Sequence, residues 1–114
     1  MVRLNMSSHP NRHLADLGFV DLFLQVDLAD PQLPQKLRDI LTNHIGDDSD
    51  VVLTPPGLAP LAVLTVTILH GITGSFPRIQ TLVRGDGGFV PGPIWDLNQI
   101  RTDARMQRQG MIAL

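Results

Sequence analysis

Two short stretches carry most of the chemistry available to this chain. In "TPPGLAP" (54–60), Pro55, Pro56 and Gly57 stand between an apolar run and a helical segment. Proline fixes φ and restricts the residue before it, so the pair holds the chain extended as it leaves the run. Gly57 then allows a tight turn, and Pro60 is tolerated in the first helical turn. The donors left free at the helix start are the N–H groups of Gly57, Leu58 and Ala59. A few rigidly aimed N–H groups at a helix opening make an anion site. A stiff turn that needs only its shape is the other reading, and the stretch alone leaves both open. It holds neither a G-x-G-x-x-G nor a Walker pattern, so dinucleotide or P-loop binding is not supported.

The second stretch is "SSHP" (7–10), after the first apolar run. Ser7, Ser8 and His9 are short polar groups suited to phosphate or ribose, with His9 able to carry a proton. Alternatively, Ser8 or His9 caps a short helix that starts near Pro10 and stops at Gly18. His13 lies four residues beyond His9, but His9 precedes the proline and falls outside that helix, so a shared metal is not expected.

Other candidates are weaker. His70 stands before Gly71 at the end of the apolar helix, where the helix dipole favours a histidine, and "GITGSFP" follows as a loop. Asn98, Arg101, Arg105 and Arg108 share one face of the last helix, opposite Leu97, Ile100 and Ala104. That face suits water, phosphate or a second subunit. Asp47, Asp48 and Asp50 lack the glycine and glutamate of an EF-hand loop. "RGD" at 84–86 is a turn among glycines.

Composition narrows the chemistry further. The 114 residues make one domain, 1–114, with 43% hydrophobic and 18% charged residues, both globular values. No cysteine is present, which excludes disulfides and thiolate zinc. All eleven acids are aspartate, Lys36 is the only lysine, and there is no tyrosine. General acid–base candidates therefore reduce to aspartate and four histidines. No catalytic residue, metal or cofactor is assigned. A net charge of −2 gives no field for long nucleic acid. The most apolar segment, Leu58 to Ile72, is too short to span a bilayer, and the opening "MVRLNMSSHP" lacks the long apolar region expected of a signal peptide. The expected location is cytoplasmic, away from membranes.

The elements that would position these residues alternate. Strands are predicted at 2–6, 20–28, 51–54, 78–84 and 89–95. The second alternates Val20, Leu22, Leu24, Val26 and Leu28 against polar residues, as an edge strand does. "VVLT" (51–54) is apolar on both faces, as a central parallel strand should be. Helices are predicted after Asp30-Pro31, with Asp30 as N-cap, to Gly46; from Leu58 to His70; and from Leu97 to about Gln109, opened by Asp96 and Gln99. The tail after Gly110 reads as frayed. This order predicts an α/β fold: a Rossmann-like three-layer domain with a mostly parallel sheet of about five strands. Ligands in such sheets sit beyond the carboxyl ends of the strands, which is where "SSHP" and "TPPGLAP" would meet.

"LNMSSHP", "PPGLAPLA", "LHGITGSFP" and "WDLNQIRTDAR" together resemble a family. They are similar to the small CRISPR-associated accessory proteins of the Csx-fifteen type, from type III loci, over most of the chain. "NRHLADLG" departs from it, since relatives carry a longer helix there. The resemblance implies a place in cyclic oligoadenylate signalling. Its motif residues match Ser7, Ser8, His9 and Pro10; Pro55, Pro56 and Gly57; and His70, Gly71 and Gly74. The function it implies is a homodimer that binds and sequesters cyclic tetra-adenylate, with further assembly when loaded. A metal-independent ring nuclease is the alternative, and a generic nucleotide-binding or assembly module the third.

Overall fold

The computed structural model describes residues 1–110, and the reading of the tail beyond Gly110 lies outside them. Nine elements follow in order: β1 (Val2–Asn5), α1 (Arg12–Asp16), β2 (Val20–Asp21), α2 (Leu33–Ile45), β3 (Val51–Thr54), α3 (Ala59–Thr73), β4 (Arg78–Gly85), β5 (Gly88–Asp96) and α4 (Leu97–Arg108). The five strands form one sheet in the order β2-β1-β3-β4-β5. The first four run parallel, and β5 returns antiparallel to β4. The expected α/β architecture with a mostly parallel five-stranded sheet is therefore what the chain adopts.

Central placement explains why β3 is apolar throughout. All four of its residues are buried, because helices cover both faces of the sheet there. On one face, Leu4, Val51, Leu53 and Ile79 pack with Leu37, Leu41 and Ile45 of α2 and Leu61 and Leu69 of α3. The α2 residues Leu33, Leu37, Leu41 and Ile45 recur every four positions, which stacks them along a single stripe. The other face is thinly covered: Leu14 of α1 and Phe19 pack on Val52, with Leu82 beside them.

Several boundaries differ from expectation, each for a local reason. The predicted strand 20–28 survives only as Val20–Asp21. Its partner β1 ends at Asn5, opposite Asp21, so the residues after Leu22 have no strand to pair with. Leu22, Leu24 and Val26 still pack on the core, as the alternation implied. Asp30 does not cap α2 directly. Its carboxylate accepts from Gln32 N at 2.9 Å, closing a turn ahead of a helix that starts at Leu33 with Pro34 in its first turn. α3 passes through His70 and Gly71 to Thr73. Gly74 ends it with φ 79°, a left-handed position that glycine fills without a Cβ clash.

Candidate functional site

β1 and β3 end level with each other, Asn5 opposite Thr54, and Met6 N donates to Thr54 O at 2.9 Å. Leu53 stands opposite Ile79, which sets the end of β3 near Gln80. β4 continues five residues further and turns through Asp86-Gly87 into β5. This overhanging hairpin walls one side of a crevice at the carboxyl edge of the sheet. Its cavity volume is about 930 Å³, and its lining includes Ser7, His9, Pro10, Pro55, Pro56 and Gly57. Two loops 45 residues apart in sequence, by the difference between Pro10 and Pro55, thus face one space.

Asn5 builds the first of these loops from beneath. The side chain is fully buried. Its Nδ2 donates to His9 O at 3.1 Å and to Asp21 Oδ1 at 3.0 Å. Its Oδ1 accepts from Ser7 N at 3.1 Å and from Ser7 Oγ at 2.6 Å. Every hydrogen-bonding site of the amide except spare lone pairs is used. Ser8, held between these anchors, takes φ 68°, the one non-glycine residue with positive φ among the described residues. The Ser7 hydroxyl donates within its own loop, to Asn5 Oδ1 at 2.6 Å with His9 O at 3.2 Å as a second acceptor, and its oxygen accepts from His9 N at 3.4 Å.

The short helix has a different cap from either expected serine or histidine. Asn11 is the N-cap of α1, its Oδ1 accepting from Leu14 N at 3.1 Å. Its Nδ2 donates to Phe89 O at 3.1 Å, which ties the loop to the overhanging hairpin. Arg12 and His13 consequently line the crevice beside His9. Arg12 was not a candidate by sequence, and His13 was weighed there only as a metal partner of His9, because "NRHLADLG" shows only a weak helix.

At the proline junction, Leu58 is the N-cap of α3 and Pro60 lies in the first turn, as the sequence suggested. The first helical bond runs from Ala62 N to Leu58 O, and no side chain caps the helix. Among the described residues, the N–H groups of Gly57, Leu58 and Ala59 find no acceptor. Gly57 reaches the crevice lining, whereas Leu58 and Ala59 lie beside it. Gly57 has no positive φ, and a Cβ there would meet nothing within 4 Å. Neither the tight turn expected from the sequence nor a close neighbour therefore requires glycine at this position.

The floor toward β4 holds Gln80, another residue that the sequence did not single out. It is 3% exposed, and its Nε2 donates to Thr81 O at 3.0 Å and Gly92 O at 2.9 Å. The pairing register shifts here, between Gln80 and Leu82. Phe89 and Trp95 also line the crevice and are about half exposed, at 54% and 52%. The Arg84 guanidinium lies 5.6 Å from the centre of the Phe89 ring. None of the lining residues is acidic, while Arg12, His9 and His13 are basic.

The remaining candidates lie elsewhere. α3 holds fifteen residues, so His70 and Gly74 are about 17 Å and about 22 Å from its start at 1.5 Å per residue. His70 packs its ring on Phe76, centroids 4.4 Å apart, and Gly74 N donates to His70 O at 2.8 Å. Asn98 leaves the predicted arginine face and clasps Phe76, accepting from its N at 3.1 Å and donating to its O at 3.2 Å. The block "LHGITGSFP" is thus a junction at the amino edge of the sheet, and His70, Gly71 and Gly74 are absent from the crevice. Arg101, Arg105 and Arg108 line a separate hollow along α4 with Ala104. No cluster of three metal-ligating side chains occurs among the described residues, and none of their helices is long and apolar enough to cross a membrane. Comparison with protein families, curated proteins and solved structures found no match for this chain.

Proposed function

We propose that this chain binds a cyclic oligoadenylate, cyclic tetra-adenylate in particular, as a homodimer, and that by holding the messenger it modulates type III CRISPR antiviral signalling. One observation carries the binding part. The crevice joins the unpaired N–H of Gly57, with those of Leu58 and Ala59 beside it, to Arg12, His9 and His13, and no acidic residue lines it. Anions gather where preorganised donors and positive charge converge. Phe89 and Trp95 add exposed aromatic surface on which bases stack. The identity of the ligand rests on the family resemblance alone, carried by "LNMSSHP", "PPGLAPLA", "LHGITGSFP" and "WDLNQIRTDAR".

The dimer reading draws on the outer strand. β5 leaves one edge open, with Ile94 and Trp95 exposed, and Ile100 of α4 is exposed as well. An uncovered strand edge beside apolar side chains favours pairing with a second copy. A two-fold dimer would offer each half of a two-fold ring the same contacts.

His9 and His13 in the crevice keep a second reading open, a metal-independent ring nuclease. There a ribose 2′-hydroxyl would attack its own phosphorus while the bond to the next 5′-oxygen breaks and that oxygen takes up a proton. Positioning and charge stabilisation would do most of this work. Excess protein mixed with labelled cyclic tetra-adenylate, followed by gel shift and product analysis, separates the readings. A shifted band containing intact ligand supports the binder. Linear products with 2′,3′-cyclic phosphate ends support the nuclease. The absence of a shift at micromolar protein excludes both and leaves a different nucleotide or an assembly role.

A further inference from the structure

We infer that Gln80 reads the base of the bound nucleotide, its side-chain oxygen accepting a hydrogen bond from an exocyclic amine. The inference rests on the binding reading above and adds which bases the site takes. Gln80 is 97% buried by difference from its 3% exposure, yet it lines the crevice. Both protons of its amide nitrogen are spent, on Thr81 O at 3.0 Å and Gly92 O at 2.9 Å. Flipping the amide would turn its oxygen against two carbonyls, so the orientation is fixed by its neighbours and not by convention. Thr54 Oγ1 donates to the Gln80 backbone oxygen at 3.2 Å, which anchors this point of β4 to β3.

The oxygen of this amide has no partner in the protein. Among the described residues, no side-chain nitrogen or oxygen sealed from solvent lacks a partner. Oε1 therefore opens onto the crevice as a rigid acceptor. It cannot donate, and it cannot rotate to become a donor. Leu82 and Arg84 follow on the same face of β4 at two-residue spacing, and Phe89 stands opposite Arg84. Leu82 and Phe89 give a base an apolar surface to lie on, with its amino edge toward Gln80. The 6-amino group of adenine supplies the donor that this acceptor lacks. A 6-oxo base presents a second acceptor at the same place. Sites that pair a buried polar group with one substrate discriminate strongly against an analogue lacking it.

The test compares two labelled rings, cyclic tetra-adenylate and cyclic tetra-inosinate, which share charge, ribose and size. Wild-type protein is expected to bind the inosine ring about 10- to 100-fold more weakly, the range for one lost hydrogen bond that leaves a buried acceptor unpaired. Equal affinity for both rings overturns this inference and leaves the binding proposal standing. Failure to bind either ring overturns the binding proposal and this inference with it. Gln80→Met, confirmed as folded by its melting curve, is expected to abolish the discrimination, lowering affinity for the adenine ring without lowering it for the inosine ring. Discrimination retained in that variant would also overturn the inference. If the variant does not fold, the wild-type comparison decides alone.

Discussion

Replacing Asn5 by leucine tests whether the polar loop of the crevice is built from below. The two side chains share the same four-heavy-atom skeleton branched at Cγ, so the change removes hydrogen bonds without opening a cavity. Four contacts disappear: two from Nδ2 to His9 O and Asp21 Oδ1, and two to Oδ1 from Ser7 N and Ser7 Oγ. A neutral hydrogen bond contributes about 0.5–1.5 kcal/mol net, and one to a charged group about 1.5–3 kcal/mol. Their plain sum would overstate the loss, because Asp21 and His9 are exposed and water can replace the lost partner. Ser7 is only partly exposed, so its N–H is the group left most poorly served. A cost of about 2–3 kcal/mol results, which lowers the melting temperature by about 8–15 °C in a domain of this size. Thermal and urea denaturation measure the loss. Amide exchange at Ser7 and His9 should accelerate more than exchange in β3, and ligand affinity should fall. Asp21→Asn, which keeps an acceptor for Asn5, should cost under about 1 kcal/mol. A melting temperature for Asn5→Leu within about 2 °C of wild type, with unchanged exchange at Ser7, would refute the reasoning.

Other perturbations separate the two edges of the sheet. A Cβ at Gly92 would lie 2.6 Å from Val83 Cγ1 and 2.7 Å from Thr81 Oγ1, while one at Gly57 meets nothing within 4 Å. Gly92→Ala is therefore expected to lose about 1–3 kcal/mol in urea denaturation, and Gly57→Ala to leave stability nearly unchanged. Arg12→Gln should weaken binding of labelled cyclic tetra-adenylate about tenfold, and Arg105→Gln should leave it unchanged; equal losses would remove the distinction between crevice and α4. The hydrogen bond from Lys36 at 2.7 Å, then that from Gln32 N, holds the Asp30 carboxyl below its ordinary value of 3.8. The folded state thus binds fewer protons than the unfolded one, so this contribution is present above the unfolded pKa and lost as pH falls through the folded one. NMR titration of Lys36→Met should return Asp30 toward its ordinary value.

The legible part of this fold was whatever repeats locally. The uniform apolarity of Val51 to Thr54 marked the central strand, and the four-residue rhythm of Leu33, Leu37 and Leu41 marked α2. The meeting of "SSHP" with the proline junction followed from strand direction alone. Asn5 and Gln80 were not legible, because each looks like an ordinary polar residue in a strand. Their partners lie far along the chain: Asp21 is 16 residues from Asn5, Gly92 is 12 from Gln80, and Phe89 O is 78 from Asn11. No periodicity reports such pairings. His70 entered the candidate site through the family resemblance, its own position in the sequence favouring only an interaction with the helix dipole. Helix geometry carried the correction, because a helix continuing to Thr73 delivers that block to the far edge.

Strand direction also reconciles the net charge of −2 with the proposed anion site. Asp47, Asp48 and Asp50 precede β3, and Asp96 faces Arg78 at the start of β4, so these four acids gather at the amino edge. Asp48 is paired with the terminal amine at 2.7 Å and Asp50 with Arg78 at 3.0 Å. The span of α3 between the two edges, about 20 Å, exceeds the Debye length of about 8 Å at physiological ionic strength. The acids at one edge are therefore screened from an anion at the other. The acid bonded directly to the crevice loop is Asp21, and its oxygen is engaged by Asn5. On the binding proposal, a phosphate at the carboxyl edge meets Arg12, His9, His13 and the free N–H groups of the proline junction, and net charge is a poor guide to the local field.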